Sequence, residues 1–212
     1  MNKIRKLMSS TGLAALLLLL SCFALSGCIS VRGSESINDA PMSKAEFSKK
    51  TIAVLPVKEQ AALSTDSLLS LRVAINDQLD NKIRAILTGS KIIDTKTAVD
   101  ILNDQNKLGL LDDFTKIYDS TGVFDKRMIA SMCSVLKTDY IVFSRLKAEK
   151  MSVGFVGKGF GASLEVAIVS QATHDIVWAG SGEFKRGGIW GAGGTQNKKA
   201  AEELVKLVFQ KF

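Results

Sequence analysis

A continuous apolar run, TIAVLPV at residues 51–57, constrains the fold more than any other feature of this 212-residue chain. Such a run, rich in β-branched residues and without polar alternation, predicts a strand that is buried on both faces of a sheet. A helical pattern follows it, in which apolar residues recur every three or four positions. The apolar stripe of this helix consists of Leu68, Leu71, Ile75, Leu79, Ile83 and Ile86. A buried strand followed by an amphipathic helix predicts the first unit of an α/β sandwich.

The middle of the chain continues this alternation of strands and helices. A short strand, KIID at residues 91–94, comes next, and three helical patterns follow it. The predicted helices cover AVDILNDQ after an opening Thr95 or Thr97, Leu110–Tyr118 with an end near Gly122, and the segment that follows a capping Asp125.

The last third of the chain is rich in strands. Three strands are predicted, at residues 140–146, 163–169 and 175–184, and an amphipathic C-terminal helix follows them. The last two strands form a hairpin, because QATH at residues 171–174 is a tight connection. Residues 49–212 are therefore predicted to form a single α/β domain. Its mixed sheet has about five strands flanked by helices, with a C-terminal β-meander and a covering helix.

Residues 1–27 have the order of a secretory signal peptide, with a basic start, an apolar run and then small residues. The apolar run, Gly12–Leu25, is 14 residues long, whereas a membrane-spanning helix needs about 20. The stretch LSGC at its end resembles the lipobox of bacterial lipoproteins. In that family a diacylglyceryl group is added to the cysteine thiol, cleavage follows just before the cysteine, and its new amino group then receives a fatty acyl chain such as palmitate. The resemblance implies lipid attachment at Cys28, in preference to Cys22. The alternatives are a transmembrane anchor and a soluble secreted protein whose cysteine is incidental.

Residues 28–48 are predicted to be a lipidated N-terminus and a flexible tether, because they are polar, mixed in charge and without a period of 2 or 3.6. A tether of this length, fully extended, reaches about 65 Å. Ile29 follows Cys28, in place of the aspartate that retains many lipoproteins at the inner membrane. The lipoprotein resemblance therefore implies an anchor in the outer membrane, with the domain facing the periplasm.

Charge and cysteine content restrict the classes of partner. Without residues 1–27 the chain carries 25 basic and 21 acidic side chains, a net charge of +4. This mild excess, together with export, argues against a nucleic-acid partner. Cys133 is the remaining cysteine once Cys28 is modified, so no internal disulfide is expected. Its place on the apolar face of a predicted helix indicates a buried structural thiol.

Few residues suit catalysis or metal binding. His174, the single histidine, falls in the predicted hairpin turn and has no neighbour at metal-ligand spacing. The chain contains no GxSxG motif. Two glycine-rich stretches, GFVGKGFGA at 154–162 and GGIWGAGG at 187–194, match neither a Walker loop nor a dinucleotide fingerprint. The sequence therefore predicts no catalytic residues, no metal and no cofactor.

The glycine-rich stretches instead predict a surface for a protein partner or a membrane. Successive connections of a meander alternate between the two ends of the sheet, so the 147–161 and 185–194 connections are expected at the same end. Both combine basic and aromatic side chains, which often act as anchors at interfaces and membrane surfaces. The candidate residues are Lys150, Phe155, Lys158, Phe160, Lys185, Arg186 and Trp190. In the alternative, the glycines mark mobile loops whose aromatic residues fold back onto the core.

Four features, taken in order, resemble the periplasmic domain of CsgG-type lipoproteins: TIAVLPV, the long helix after it, KTDYIVFSRL, and SLEVAIVSQATHDIVWAGSGEF. The curli export channel and the penicillin-binding-protein activator LpoB share that domain, and the amino-terminal domain of TolB is similar. The resemblance covers roughly residues 50–210. It implies a mixed-sheet α/β domain that assembles with other proteins and is not an enzyme.

The resemblance to the export channel has a limit in the last third of the chain, where the channel inserts two long hairpins. The matching segments here, 147–161 and 185–194, are fifteen and ten residues long, whereas a membrane hairpin needs about 20 residues and a turn. The leading interpretation is a non-enzymatic outer-membrane lipoprotein that binds or assembles with envelope proteins, as a secretion accessory or a regulator of a cell-wall synthase. Homo-oligomers are compatible with it. The alternatives are an oligomeric CsgG-like export component with shortened pore hairpins, and an enzyme or small-ligand binder.

Replacing Cys28 with Ala is expected to abolish fatty-acid attachment, because the thiol of this residue is the implied acceptor. Growth of expressing cells with radioactive palmitate, followed by immunoprecipitation, measures the attachment. Cys22→Ala is the matched control and is expected to keep the label. Label that persists on the Cys28→Ala protein would contradict the assignment.

Overall fold

A computed structural model describes residues 29–34, 44–61, 65–153, 157–188, 194–210 and 212 of the chain. Within these residues, seven strands form one mixed sheet, and five α-helices and one 3-10 turn, Lys44–Phe47, complete the fold. The strands are β1 (Ile29–Ser34), β2 (Thr51–Val54), β3 (Lys58–Ala61), β4 (Lys91–Ile93), β5 (Tyr140–Val153), β6 (Gly157–Ser170) and β7 (Ile176–Gly188). The helices are α1 (Thr65–Ile86), α2 (Thr95–Asp104), α3 (Gly109–Thr121), α4 (Lys126–Leu136) and α5 (Gly194–Val208).

The strands are arranged in the order β1-β7-β6-β5-β2-β4, and β3 pairs with β5 beyond the end of β2. The pairs β2–β4, β2–β5 and β3–β5 are parallel. The pairs β5–β6, β6–β7 and β1–β7 are antiparallel. Parallel neighbours need a crossover connection, whereas antiparallel neighbours need only a turn. The first part of the chain, in which helices connect the strands, thus produces the parallel half of the sheet. The strand-rich last part produces the antiparallel half.

Helices cover both faces of the sheet because the chain reverses its direction across it. Strand β4 lies on one side of β2, at the edge of the sheet, and β5 lies on the other side of β2. The connection from β2 to β4 and the connection from β4 to β5 therefore cross the sheet in opposite directions. Crossovers of the same hand in opposite directions place their helices on opposite faces. Accordingly α1 packs with α5 on one face, and α2, α3 and α4 pack on the other.

The alternation of side chains along β5 divides the core between these two layers. Val142 and Leu146 are buried beneath α1 and α5. Ile141 and Phe143 are buried beneath α2, α3 and α4. Successive side chains of a strand point to opposite faces, so one strand supplies both cores. The predicted fold class, a single α/β domain with a mixed sheet, a terminal meander and a covering helix, is confirmed.

Several local sequence signals act as expected. Asp125 caps α4, and the hydrogen bond from the Arg127 backbone N–H to its carboxylate, 2.7 Å long, lowers its pKa. Helix α3 ends at Gly122, which has a left-handed φ of 70°. Cys133 is buried, and this burial raises the pKa of its thiol to about 12. Helix α2 begins at Thr95, one of the two predicted openings, and Asp94 caps it by accepting a hydrogen bond from the backbone N–H of Thr97.

The strands extend further than the sequence pattern predicts. The predicted 147–161 connection is mostly strand, because β5 continues to Val153 and pairs without a break down to Gly157 of β6. Strand β3 was not predicted either. Its residues, KEQA, are polar and carry no strand signal, and pairing with β5 holds them in place. Strand formation at these positions depends on hydrogen bonds to a neighbouring strand and not on local propensity.

The predicted tether over residues 28–48 also differs from the structure. Ile29–Ser34 forms β1, which pairs antiparallel with β7 at the edge of the sheet. The 3-10 turn that precedes β2 buries Phe47 against Tyr140, with their ring centroids 4.9 Å apart. Residues 35–43 lie outside the described part of the chain. The N-terminal segment is therefore attached to the domain at two places.

Helix α5 lies against the backbone of β7 at two glycines. A Cβ atom on Gly180 would be 2.7 Å from the carbonyl oxygen of Val208 and 2.8 Å from the Trp178 ring. A Cβ atom on Gly182 would be 2.9 Å from the Cβ of Leu207. These distances are shorter than van der Waals contact, so the missing side chains allow the close approach of α5.

Gly180→Ala is expected to lower the free energy of unfolding by about 1–3 kcal/mol, because the added methyl group would overlap a backbone oxygen that cannot rotate away. Urea denaturation followed by circular dichroism measures the change. Gly109→Ala is the control, because no atom lies within 4 Å of the Cβ it would add. It is expected to leave stability unchanged or to raise it by up to about 1 kcal/mol. Equal midpoints for Gly180→Ala and the unmodified protein would contradict this packing.

Candidate interaction surface on the extended strands

The distal end of the sheet, defined here as the end at Val153, Gly157 and Gly188, contains five of the residues that the sequence analysis selects. Lys150 of β5 pairs with Phe160 of β6, which pairs in turn with Arg186 of β7. Strand pairing thus places residues from both glycine-rich stretches beside one another. The remaining members of this group are Lys158 in β6 and Lys185 in β7. Cys28, Phe155 and Trp190 lie outside the described residues.

Phe160 differs from the exposed anchor that the sequence suggests. It is half-buried and packs against the core beneath α1 and α5. For this residue the alternative prediction, in which the aromatic side chain folds back onto the core, describes the structure. The sequence could not assign Phe160 to a face of the sheet, because its glycine neighbours show no alternation of apolar and polar residues.

Two rows of polar residues lie on the opposite face, next to the distal end. The inner row consists of Lys147, Ser163 and Glu183, and the outer row consists of Glu149, Gly161 and Lys185. We call these two rows the charged face. Lys147 and Glu149 are exposed, and the side chains of Glu183 and Lys185 are 38% and 39% exposed. The helices of this side therefore leave the four charged side chains accessible to solvent, whereas Ser163 is half-buried and Gly161 is buried.

The charged face is shallow and carries both signs of charge. Lys185 Nζ lies 2.5 Å from Glu183 Oε1 on the same strand. The side chains of both rows line a depression of about 70 Å³, whereas pockets for drug-sized ligands occupy roughly 300–1,000 Å³. A surface of this shape suits contact with another macromolecular surface better than enclosure of a small molecule.

Sequence reasoning selected Lys185 but missed the other members of the charged face. The available signal was the period-2 pattern in LKAEK and GEFK, where charged residues alternate with Ala148 and Phe184. Both apolar residues are buried on the other side of the sheet. Such alternation is typical of a strand with one solvated face. It was not recognised because the glycines nearby indicated connections instead of strands.

A network around Arg145 forms the inner boundary of the charged face. The guanidinium contacts Glu165 Oε2 at 2.5 Å and Asp119 Oδ1 at 3.4 Å, and lies 5.2 Å from the centre of the Tyr118 ring. Burial opposes its charge, but the hydrogen bond and the attraction from Glu165 outweigh that effect and raise its pKa. Gln60 of β3 donates to the same Asp119 carboxylate at 3.0 Å. Helix α3 is thereby fixed to the sheet at the inner row.

The described residues contain no group of three or more His, Cys, Asp and Glu side chains that could hold a metal ion. Within the same residues, no helix has both the length and the apolar character needed to cross a membrane.

Comparison with known proteins finds similarity only among solved structures. No family model matches the chain, and no curated protein matches its sequence. The similar structures include a PelC dodecamer from Paraburkholderia phytofirmans, with 14% identity, a TM-score of 0.38, and coverage of 86% of this chain and 95% of that chain. Lipoprotein GNA1162 from Neisseria meningitidis has 9% identity, a TM-score of 0.42, and coverage of 72% and 93%.

The C-terminal domain of LpoB from Escherichia coli is also similar, with 10% identity, a TM-score of 0.38, and coverage of 65% of this chain and 83% of that chain. LpoB is thus one of the solved structures that resemble this chain, as the sequence motifs suggest, whereas the resemblance to CsgG stays a prediction. These identities and TM-scores are low, so no argument about function rests on them.

Arg145→Met is expected to lower the free energy of unfolding by about 1–3 kcal/mol, because it leaves Glu165 without this hydrogen-bond donor and Asp119 with Gln60 in place of two donors. Urea denaturation at neutral pH measures the loss. Lys126→Met is the matched control, since its pair with Asp175 is 3.8 Å long and exposed, and exposed pairs contribute less than about 1 kcal/mol. Equal destabilisation by both substitutions would show that the network does not hold α3.

Proposed function

We propose that this protein is a non-enzymatic, lipid-anchored protein of the outer membrane whose periplasmic α/β domain binds an envelope protein through the charged face. The observation that carries the proposal is the set of four solvent-accessible charged side chains on paired strands, Lys147 with Glu183 in one row and Glu149 with Lys185 in the next. The lipobox-like LSGC sequence and the signal peptide before it support the anchoring at Cys28.

The charged face has the properties of a docking surface on a rigid support. Its side chains project from three strands whose backbones are paired without a break in this region. Binding to such a surface costs little ordering of the backbone, which favours affinity. Its depression of about 70 Å³ is too small to enclose a metabolite.

The distribution of charge indicates the chemistry of the partner. Lys147 and Glu183 stand at opposite sides of the inner row, and Glu149 and Lys185 stand in the reverse order in the outer row. Glu183 and Lys185 pair with each other, so a partner would be oriented chiefly by an acidic group opposite Lys147 and a basic group opposite Glu149. Arrangements of this kind contribute chiefly to specificity and to the rate of encounter. A component of a secretion system and a synthase of the cell wall are the two candidate classes of partner.

The exchange of Lys147→Glu with Glu149→Lys tests the proposal without changing the net charge. A photo-crosslinking amino acid at Ser163, in the inner row, is expected to capture one envelope protein in living cells. The charge exchange is expected to reduce that adduct at least tenfold, because like charges would then face each other across the interface. Immunoblotting and mass spectrometry measure the yield and identify the partner.

The same crosslinker at Lys116, an exposed position on α3, is the control and is expected to give no such adduct. An adduct at Ser163 with twice the mass of the chain would identify a second copy as the partner. Equal yields at Ser163 with and without the charge exchange would contradict binding through the charged face. Circular dichroism of the exchanged variant establishes that it is folded.

A further inference from the structure

The first strand of the sheet places the proposed lipid anchor at the distal end. Strand β1 begins at Ile29, and Ile29 pairs with Arg186 of β7. Cys28 directly precedes Ile29, and consecutive Cα atoms are about 3.8 Å apart. The anchor point is therefore one residue away from the row that contains Lys150, Phe160 and Arg186.

No spacer separates this anchor point from the sheet. Strand β1 runs inward from Ile29 to Ser34, which lies opposite Ser181 of β7. The remaining residues of the expected tether, 35–43, come after β1 in the chain and so cannot lengthen the connection between Cys28 and the sheet. An acyl group on Cys28 would therefore hold the distal end at the lipid surface. The expected tether, in contrast, would have allowed the domain to stand up to about 65 Å from the membrane.

The charge at the distal end suits an anionic surface. Among the described residues in the rows from Lys150 outward, three are of basic type, Lys150, Lys158 and Arg186, and none is acidic. The opposite end of these strands carries Asp139 and Asp175. Basic residues held close to a membrane are attracted by anionic headgroups within a Debye length.

We propose that the distal end of β1, β5, β6 and β7 docks directly on the membrane, with Lys150, Lys158 and Arg186 contacting anionic phospholipid headgroups. The inference rests on the proposed acylation of Cys28. The acyl chains on Cys28 would supply the attachment, and the basic residues would determine which end of the sheet meets the lipid. Docking would fix the orientation of the domain, and the charged face would then stand immediately beside the lipid surface.

The test uses the full acylated protein, purified from membranes and reconstituted into vesicles. Ser152→Cys at the distal end and Thr173→Cys in the β6–β7 turn provide two sites for a fluorescent label. They are separated by most of the length of β6, about 40 Å. In vesicles that contain phosphatidylglycerol and a headgroup-linked quencher, the label at 152 is expected to lose more than half of its emission. The label at 173 is expected to be unaffected.

Removal of the basic residues tests the role of charge. Lys150→Gln with Lys158→Gln and Arg186→Gln is expected to reduce quenching at 152 to the level found in phosphatidylcholine vesicles. Lys116→Gln with Lys126→Gln, two exposed positions elsewhere, is the control and is expected to leave quenching unchanged.

The outcomes separate this inference from the proposed function. Absence of acyl label on Cys28 would overturn the anchoring, and the docking with it. An acylated protein whose label at 152 is not quenched, or whose label at 173 is quenched equally, would overturn the docking alone. If the unquenched position 152 instead crosslinked to an acidic envelope protein in cells, the distal end would belong to a protein partner and not to lipid.

Discussion

The antiparallel ladder of β5, β6 and β7 is the constraint on which the rest of the structure depends. Pairing between β5 and β6 continues without interruption from Tyr140 opposite Ser170 to Val153 opposite Gly157. Because side chains alternate with a period of two, this one register assigns every residue of β5 and β6 to a face, and β7 follows it up to the bulge opposite Ile168 and Val169. A slip by one residue would expose the core residues and bury the charged face. Folding and the proposed function therefore depend on the same hydrogen bonds.

The helices divide this ladder into two parts with different roles. Where α2, α3 and α4 cover it, Phe143 and Ala167 form part of a buried core. Where their cover ends, at Arg145 and its partners on α3, the same strands present the charged face to solvent. A binding surface supported by the strands of a folded core is held more rigidly than one on a loop. The arrangement can keep charged residues in a defined order without burying them.

The N-terminal strand connects the two proposals. Strand β1 adds to the edge of β7 and begins at the distal end with Ile29, which directly follows the residue implied to carry the lipid, and the charged face lies just inside that end. A partner of the charged face would then be bound in the layer next to the membrane. Membrane attachment and partner binding would be coupled by the stiffness of the sheet, without a flexible spacer between them.

The sequence by itself determined the elements whose signals are local: the buried strand that begins at Thr51, the stripe of α1, the Asp125 cap and the lipobox-like segment before Cys28. These follow from apolar periodicity, side-chain capping and short motifs, which act over a few residues. Only the tertiary structure decided that KEQA and ISVRGS are strands, that Phe160 packs on the core, and that Lys147 and Glu183 share a row. Each of these depends on a neighbouring strand far away in the chain, and that pairing overrides local propensity.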